Sequence, residues 1–440
     1  MAAPVARAPA SGPAVRWRHS APDDVALRGT AAGHRRPVAP IWFACTGVVA
    51  LIASLAEYWL SVLRSPRYFS MIDSRVYRAG AQVLLHGGRL YAMRATGARL
   101  QFTYPPAAAV LFSWMPAVGV WWTKMASTVF SQASLIACVW LMLAWLRVPR
   151  HLHIGIAGLV GAGALWFEPV QATLHFGQIN LLIMLLVIAD LSRRPRWLPP
   201  GLLIGAATGL KLVPAIFVLY LVLTGRRRAA LTAIGTFLGS IALGFAVTPG
   251  QSAAYWGRLV FDTGRVGSVA HVSNQSLLGL LSRLAGSPAN AHSAWLAAAI
   301  TLTAVGSALA AALHHIGDDI AGALACACTG LAVSPISWNH HWVWAVPVAI
   351  ALGHRAWQTR SAALGLALLA WVTVFSSGVI WHVPRSYGRE FRWRGWQLLA
   401  GNAYILAGLT LLFMFAARMV LRVACARGGP FQRLRRIDGS

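Results

Sequence analysis

Gly201 to Leu223 reads GLLIGAATGLKLVPAIFVLYLVL. One lysine, Lys211, interrupts an apolar run that covers 199–224, and Pro214 follows three residues later. Proline inside a helix removes a backbone hydrogen bond and kinks or breaks the helix. A lone ammonium at the centre of a bilayer costs on the order of 3 kcal/mol. The pair therefore predicts two short or re-entrant helices, leaving on the side they came from, with Lys211 at the tip. There the lysine faces an anion, with phosphate a natural partner, or a water-filled cavity; snorkelling to the interface is the alternative.

The rest of the chain fits a membrane setting. Of 440 residues, 57% are hydrophobic and 11% charged, against about 25% charged in soluble domains. The reading is all-α: a polytopic transmembrane bundle of about 10–13 membrane-spanning or re-entrant helices. The formal charge of +27 raises nucleic acid as a partner. However, the arginines cluster at the ends of apolar segments, which points to the positive-inside rule and to contact with membrane lipids. No nucleic-acid partner is expected. Cys45, Cys138, Cys326, Cys328 and Cys425 lie in or beside apolar segments and give no disulfide framework. Cys326 and Cys328 fall on different faces of a helix, so no metal is expected there. Residues 1–39 and 425–440 read as basic cytoplasmic tails, the first disordered, flanking a single transmembrane domain over 40–424.

Crossings are expected near 41–63, 126–146, 152–168, 177–191, 229–247, 294–316, 319–337, 341–354, 361–382 and 397–420. A second proline-broken stretch, 105–125, resembles 199–224 in pattern. This places Arg147 with Arg150, Arg193 with Arg194 and Arg196, Arg226 to Arg228, and Arg355 with Arg360 inside. Arg64 to Arg99 and Arg385 to Arg394 fall outside, which a phosphate ligand would explain. Four polar loops then share the outer face: Ser65 to Phe102, Glu168 to Asn180, Gln251 to Asn274, and the segment around His340. Of 11 acidic residues, only Asp73, Glu168, Asp262 and Glu390 are expected outside.

Several stretches carry chemistry. SMIDSRVYRAG (Ser70 to Gly80) reads as an amphipathic surface helix, with Ile72, Val76, Ala79 and Val83 on one face and Arg75, Arg78 and Gln82 on another. Asp73 near its start is either a carboxylate base or a simple N-cap. FTYPP contains Tyr104 in a rigid turn. HFGQIN contains His175, with Gln178 and Asn180 placed to hydrogen-bond hydroxyls or to act as caps. Glu168 precedes Pro169 at a helix end and could pair with an arginine. GRVGSVAHVSNQS supplies Arg265, Asn274 and Gln275. In SPISWNHHWVW, His340 and His341 lie between tryptophans. Adjacent helical residues point about 100° apart, so the pair is not a metal site. One histidine is expected to bind substrate, with tryptophans stacking on sugar or sitting in the interfacial belt.

Together, the Asp followed by VY, FTYPP, EP…GQIN, GLKLVPA, GRVG…NQS and SPISWNHHWVW resemble glycosyltransferase family 87, over Asp73 to Trp344. The order of the whole set carries the resemblance. It implies a GT-C fold with a catalytic carboxylate in the first outer loop, at Asp73. It implies a polyprenyl-phosphate-mannose donor and a lipid-linked mannoside acceptor, as for phosphatidylinositol mannosides or lipomannan, with no cofactor or metal. Asp73 would take the acceptor proton in an inverting displacement. Lys211 and Arg265 would stabilise the departing phosphate, and a histidine would contact that phosphate or orient a hydroxyl. Arg75 and the other loop arginines would tune acceptor choice. Pentofuranosyl transfer, such as arabinose from its polyprenyl phosphate, is the nearest alternative. A lipid flippase shares the broken helices and buried lysine but calls for an internal repeat and polar groups at the bilayer midplane, which the sequence does not display.

Overall fold

A computed structural model describes residues 40–65, 69–192 and 197–426. The expected N-terminal tail, nearly all of the expected C-terminal tail, and Arg193, Arg194 and Arg196 lie outside the described residues. In order, the helices are α1 (Ile41–Arg64), α2 (Ile72–Leu85), α3 (Pro106–Leu111), α4 (Val120–Trp145), α5 (His153–Ala164), α6 (Glu168–Phe176), α7 (Asn180–Ser192), α8 (Leu202–Leu210), α9 (Ile216–Leu223) and α10 (Arg227–Val247). The second half adds α11 (Pro249–Gly257), α12 (Leu277–Ala285), α13 (Pro288–His315), α14 (Asp319–Val333), α15 (Ala345–Thr359), α16 (Ala362–Ser376), α17 (Trp396–Gly401) and α18 (Ala403–Ala426). Short 3-10 segments fill several turns, and no strand forms among the described residues. The protein is an all-α, polytopic membrane protein of the GT-C type.

Among the described residues, α1, α4, α10, α13 and α18 are each long and apolar enough to cross a bilayer, and the pair α5–α6, bent by 73°, makes a sixth candidate. The sequence suggests ten crossings. The difference lies in helices such as α7 and α14, which have 13 and 15 residues. At 1.5 Å per residue they cover about 20 Å, short of the ~30 Å hydrocarbon core. Each has one end at the cavity described below, so it crosses only the thickness left beneath it. Exposed tryptophans mark the two membrane surfaces: Trp114, Trp121 and Trp122 near one end, Trp42, Trp197 and Trp357 near the other.

The stretch around Lys211 folds as its proline predicts. Gly201 packs on Ala229, Gly205 on Ala233 and Gly209 on Ser240, so α8 runs parallel to α10. The chain breaks at Lys211, turns through Val213–Ala215, and returns as α9, which ends four residues before α10 starts. The two short helices therefore form a hairpin that leaves where it came from. The 105–125 stretch behaves differently. Its re-entrant part ends at Ala117, and α4 already begins at Val120.

Charged groups gather at the end of the bundle where α9, α13, α15 and α18 end and α14 begins. There Arg226 meets Asp319 (3.5 Å), and Asp318 receives Arg355 (3.1 Å) and Arg418 (2.7 Å). This is the end to which the sequence assigns Arg226 and Arg355. The other end carries α2 and the polar loops.

Candidate active site

The amphipathic helix α2 forms, but it is rotated from the expected face. Ser74, Val76, Tyr77, Gly80 and Ala81 are buried, whereas Ile72, Ala79 and Val83 are only partly so. The cause is the partner: Gly80 lies flat against the Phe102 ring, and Tyr77 stacks on Phe112 at 4.6 Å. The start of α2 is fixed by the 175–177 turn. Met71 donates its N–H to the His175 carbonyl at 3.0 Å. Gly177 adopts φ +70°, and a Cβ there would come within 2.7 Å of Ser74 Cβ, so only glycine allows this approach. Asp73 sits in the first turn of α2. The N-cap is Met71, with no side-chain cap bond, so the simple N-cap reading of Asp73 does not apply.

A cavity of about 240 Å³ opens beside Asp73. Its wall includes Tyr104, Gln178, Lys211, Arg265, His340 and His341. A smaller chamber of about 120 Å³ adjoins it, sharing Thr103, Leu212, Tyr255 and Arg265. Seven of the thirteen residues expected at the site thus meet in one place, drawn from six separate segments of the chain.

Gln178 links α2 to this wall. Its Oε1 lies 2.9 Å from the Tyr77 hydroxyl and 3.1 Å from that of Tyr104, and the two hydroxyls are 2.9 Å apart. With the oxygen so occupied, the Gln178 amide nitrogen is the donor left for Asp73, which Gln178 hydrogen-bonds. Burial raises the Asp73 carboxyl from the usual 3.8 to about 6, against the opposing pull of Gln178 and of the Lys211 charge. A carboxylate with that value can both hold and release a proton near neutrality.

Asn180, at the start of α7, organises the opposite wall. Its Oδ1 accepts from Lys211 Nζ at 2.8 Å and its Nδ2 donates to the His340 carbonyl at 2.8 Å. Lys211 Nζ also donates to His341 Nε2 at 3.0 Å, which fixes the proton of a neutral His341 on Nδ1. Lys211 is not snorkelling; it stands at the hairpin tip, inside the cavity. Asn339–Trp344 is a 3-10 segment rather than the start of an α-helix. Both histidine rings consequently line the cavity, 4.9 Å apart. Both ring nitrogens of His340 and the Nδ1 of His341 are buried without a protein partner among the described residues. Buried polar atoms are rarely left unpaired, so these three nitrogens, on two residues of the cavity wall, are candidates for bonds to a ligand.

The other expected site residues lie elsewhere. Glu168 does not reach the cavity. It accepts from Asn339 Nδ2 (2.6 Å), Trp381 Nε1 (2.9 Å) and Tyr404 hydroxyl (2.8 Å), so it pairs with no arginine but ties α6, the histidine segment and α18 together. Asn274 and Gln275 are fully buried. Asn274 accepts the Ser337 N–H (2.9 Å) and donates to the Val269 and Pro335 carbonyls; Gln275 donates to the Gly401 carbonyl at 2.7 Å. Their capacity is spent on holding the SPISW loop, which also pairs by backbone with 273–275. His175 contacts Ser70 (3.3 Å) and Phe176 and does not line the cavity. Arg75 is exposed on α2, away from it. Of the tryptophans, Trp338 lines the cavity, but Trp342 and Trp344 are core residues, stacked on Phe375 and Phe217.

Among the four outer carboxylates, only Asp73 lines the large cavity. Asp262 caps the turn at Gly264 and touches only the small chamber. Glu390 is buried and accepts the Ser386 N–H at 2.8 Å. Sequence reasoning missed Tyr77 and Tyr255 as wall-builders. Tyr77 had a signal: it lies one helical turn from Asp73, at i+4. Tyr255, on α11, had none.

Comparison with known proteins gives the family. Residues 102–335 match the profile of glycosyltransferase family 87. The chain is 35% identical over 387 residues to a polyprenol-phosphate-mannose-dependent alpha-(1-2)-phosphatidylinositol mannoside mannosyltransferase of Mycobacterium tuberculosis, covering 81% of this chain and 88% of the relative. It is 34% identical over 390 residues to the protein of the same description in Mycolicibacterium smegmatis, covering 81% and 86%. A polyprenol-phosphate-mannose-dependent alpha-(1-2)-phosphatidylinositol pentamannoside mannosyltransferase of Mycobacterium tuberculosis is 34% identical over 385 residues, covering 84% and 86%. No solved structure matched the chain significantly. On the family profile and on relatives aligned over most of its length, the chain belongs to glycosyltransferase family 87.

Proposed function

We propose that the protein is an α-mannosyltransferase that moves mannose from a polyprenyl-phosphate-mannose donor to a lipid-linked mannoside, with the chemistry at the cavity beside Asp73. The relatives' printed names support donor and acceptor class. The reading rests chiefly on one observation: a single carboxylate faces Lys211 and two histidines with unpaired ring nitrogens across one cavity. Asp73 accepts the proton of the acceptor hydroxyl as that oxygen attacks the anomeric carbon. The bond from that carbon to the phosphate oxygen breaks, and inversion turns a β-linked donor into an α-linked product. The polyprenyl phosphate leaves with the bonding pair, and Lys211 with Arg265 stabilises its growing negative charge. Arg265 is held for this by Gln101 (2.8 Å) and the Phe102 carbonyl (3.2 Å). The histidines bind the phosphate or a sugar hydroxyl.

The cavity opens at the end of the bundle opposite the Arg226, Arg355 and Arg418 cluster. By the positive-inside rule that cluster is cytoplasmic, so the reaction takes place at the outer face. Purified protein should transfer labelled mannose from polyprenyl-phosphate-mannose to a phosphatidylinositol mannoside. Transfer of arabinose but not mannose from the corresponding donors would overturn the donor assignment, and labelling of residues around Asp73 only from the cytoplasmic side would overturn the orientation.

A further inference from the structure

At the far end of the bundle lies a second cavity, of about 360 Å³, that the proposed chemistry does not use. It is separated from the catalytic cavity by the length of α14, about 20 Å. Asp318 borders it just before α14, and Ser334, just after α14, begins the SPISW loop. Four arginines border it: Arg147, Arg355, Arg418 and Arg422. Among the described residues, Asp318 is the only acidic one on its wall, and both Arg355 (3.1 Å) and Arg418 (2.7 Å) already converge on its Oδ2. The side chains of Arg147 and Arg422 make no hydrogen bond or ion pair among the described residues. Arg147 is held at φ +57°, a left-handed backbone that arginine rarely adopts.

Like charges crowded beside apolar surface repel unless an anion enters. The remaining wall supplies that surface, with Leu324, Val348 and Phe415 among it. Arg147 lies just beyond the end of α4, and Arg355, Arg418 and Arg422 lie within the last two or three turns of α15 and α18, the part of a crossing where basic side chains meet anionic lipid headgroups. A cationic mouth over an apolar wall fits a phosphate carried on acyl chains. We propose that this cavity is a binding site for the phosphate headgroup of an anionic lipid of the leaflet opposite the catalytic cavity.

The test uses full-length protein in a neutral detergent. Thermal unfolding and native mass spectrometry are followed with added phosphatidylglycerol, phosphatidylcholine or inorganic phosphate. Phosphatidylglycerol should raise the melting temperature saturably and remain bound to the ion; phosphatidylcholine should do neither. In Arg147→Gln/Arg422→Gln, phosphatidylglycerol affinity should fall at least tenfold. These side chains hold nothing within the protein, so folding is retained, and Arg422→Gln alone serves as the milder variant. The control is Arg227→Gln/Arg228→Gln on α10, at the same end but outside the cavity, which should bind as the wild type does. Unchanged affinity in the cavity variants overturns the proposal. So does an equal loss in the α10 control, which would mean general attraction to a basic surface. An equal shift from inorganic phosphate would mean a soluble anion is the ligand and would overturn the lipid assignment. None of these outcomes depends on mannose transfer.

Discussion

The value of about 6 for Asp73 makes a base catalyst testable by pH. A base acts only when ionised. With a value of about 6, roughly one-tenth of Asp73 is ionised at pH 5 and about nine-tenths at pH 7. The rate at subsaturating donor should therefore rise about tenfold from pH 5 to pH 7. A carboxylate at the usual 3.8 would be almost fully ionised at pH 5, and the rise would be about 1.1-fold. Activity is present above the Asp73 value and lost as pH falls through it. Gln178→Leu removes one of the two influences that hold the value down, so its acid limb should move to higher pH. Asp73→Asn should lower turnover by about 10²–10⁴ and abolish the limb in what remains. Its fold should not suffer at pH 7. Burial raises the folded-state value, so the stability contributed by protonated Asp73 is present at low pH and lost as pH rises through about 6. The asparagine variant, which cannot ionise, should melt at or above the wild-type temperature at pH 7. Initial rates of labelled mannose transfer between pH 4.5 and 8, with melting curves alongside, provide both readouts. A flat profile, or more than a tenth of wild-type turnover in Asp73→Asn, would refute the assignment.

Lys211→Met should raise the KM for the polyprenyl-phosphate donor by at least an order of magnitude, with the acceptor KM little changed; steady-state kinetics with each substrate varied would show it. Glu168→Ala strands three buried donors at about 1–3 kcal/mol each, so thermal or denaturant unfolding should show a destabilisation of several kcal/mol. Gly177→Ala combines a positive φ with a 2.7 Å contact and should cost about 1–3 kcal/mol in stability; because the displaced α2 carries Asp73, turnover should fall as well.

Much of this was legible in the chain itself, for identifiable reasons. Lys211 beside Pro214 announced the hairpin, because lipid leaves few places for a stray ammonium. The scarcity of outer carboxylates narrowed the candidate bases to four, the family resemblance singled out Asp73, and of the four it is the one that lines the larger chamber of the site. The failures share one cause. Asn274, Gln275 and Glu168 are polar residues in loops near a site, and sequence cannot distinguish a side chain that holds a loop from one that holds a ligand. All three proved to be held by protein partners, among them groups that lie 63 residues from Asn274, 126 from Gln275 and 236 from Glu168. The rotation of α2 was hidden for a similar reason: its buried face is chosen by Phe102 and Phe112, which periodicity within the helix does not see. The histidine pair was judged by α-helical angles, while the chain there is wound as a 3-10 segment.

The knot of bonds around Glu168 also constrains how the chain is made. Its carboxylate emerges from the ribosome 236 residues ahead of Tyr404. Asn339 and then Trp381 arrive in between. Until the last long helix is inserted, Glu168 lacks one of its three donors. A product cut short before Tyr404 would carry Asp73, Lys211 and the histidines, but its Glu168 would be held by Asn339 and Trp381 alone.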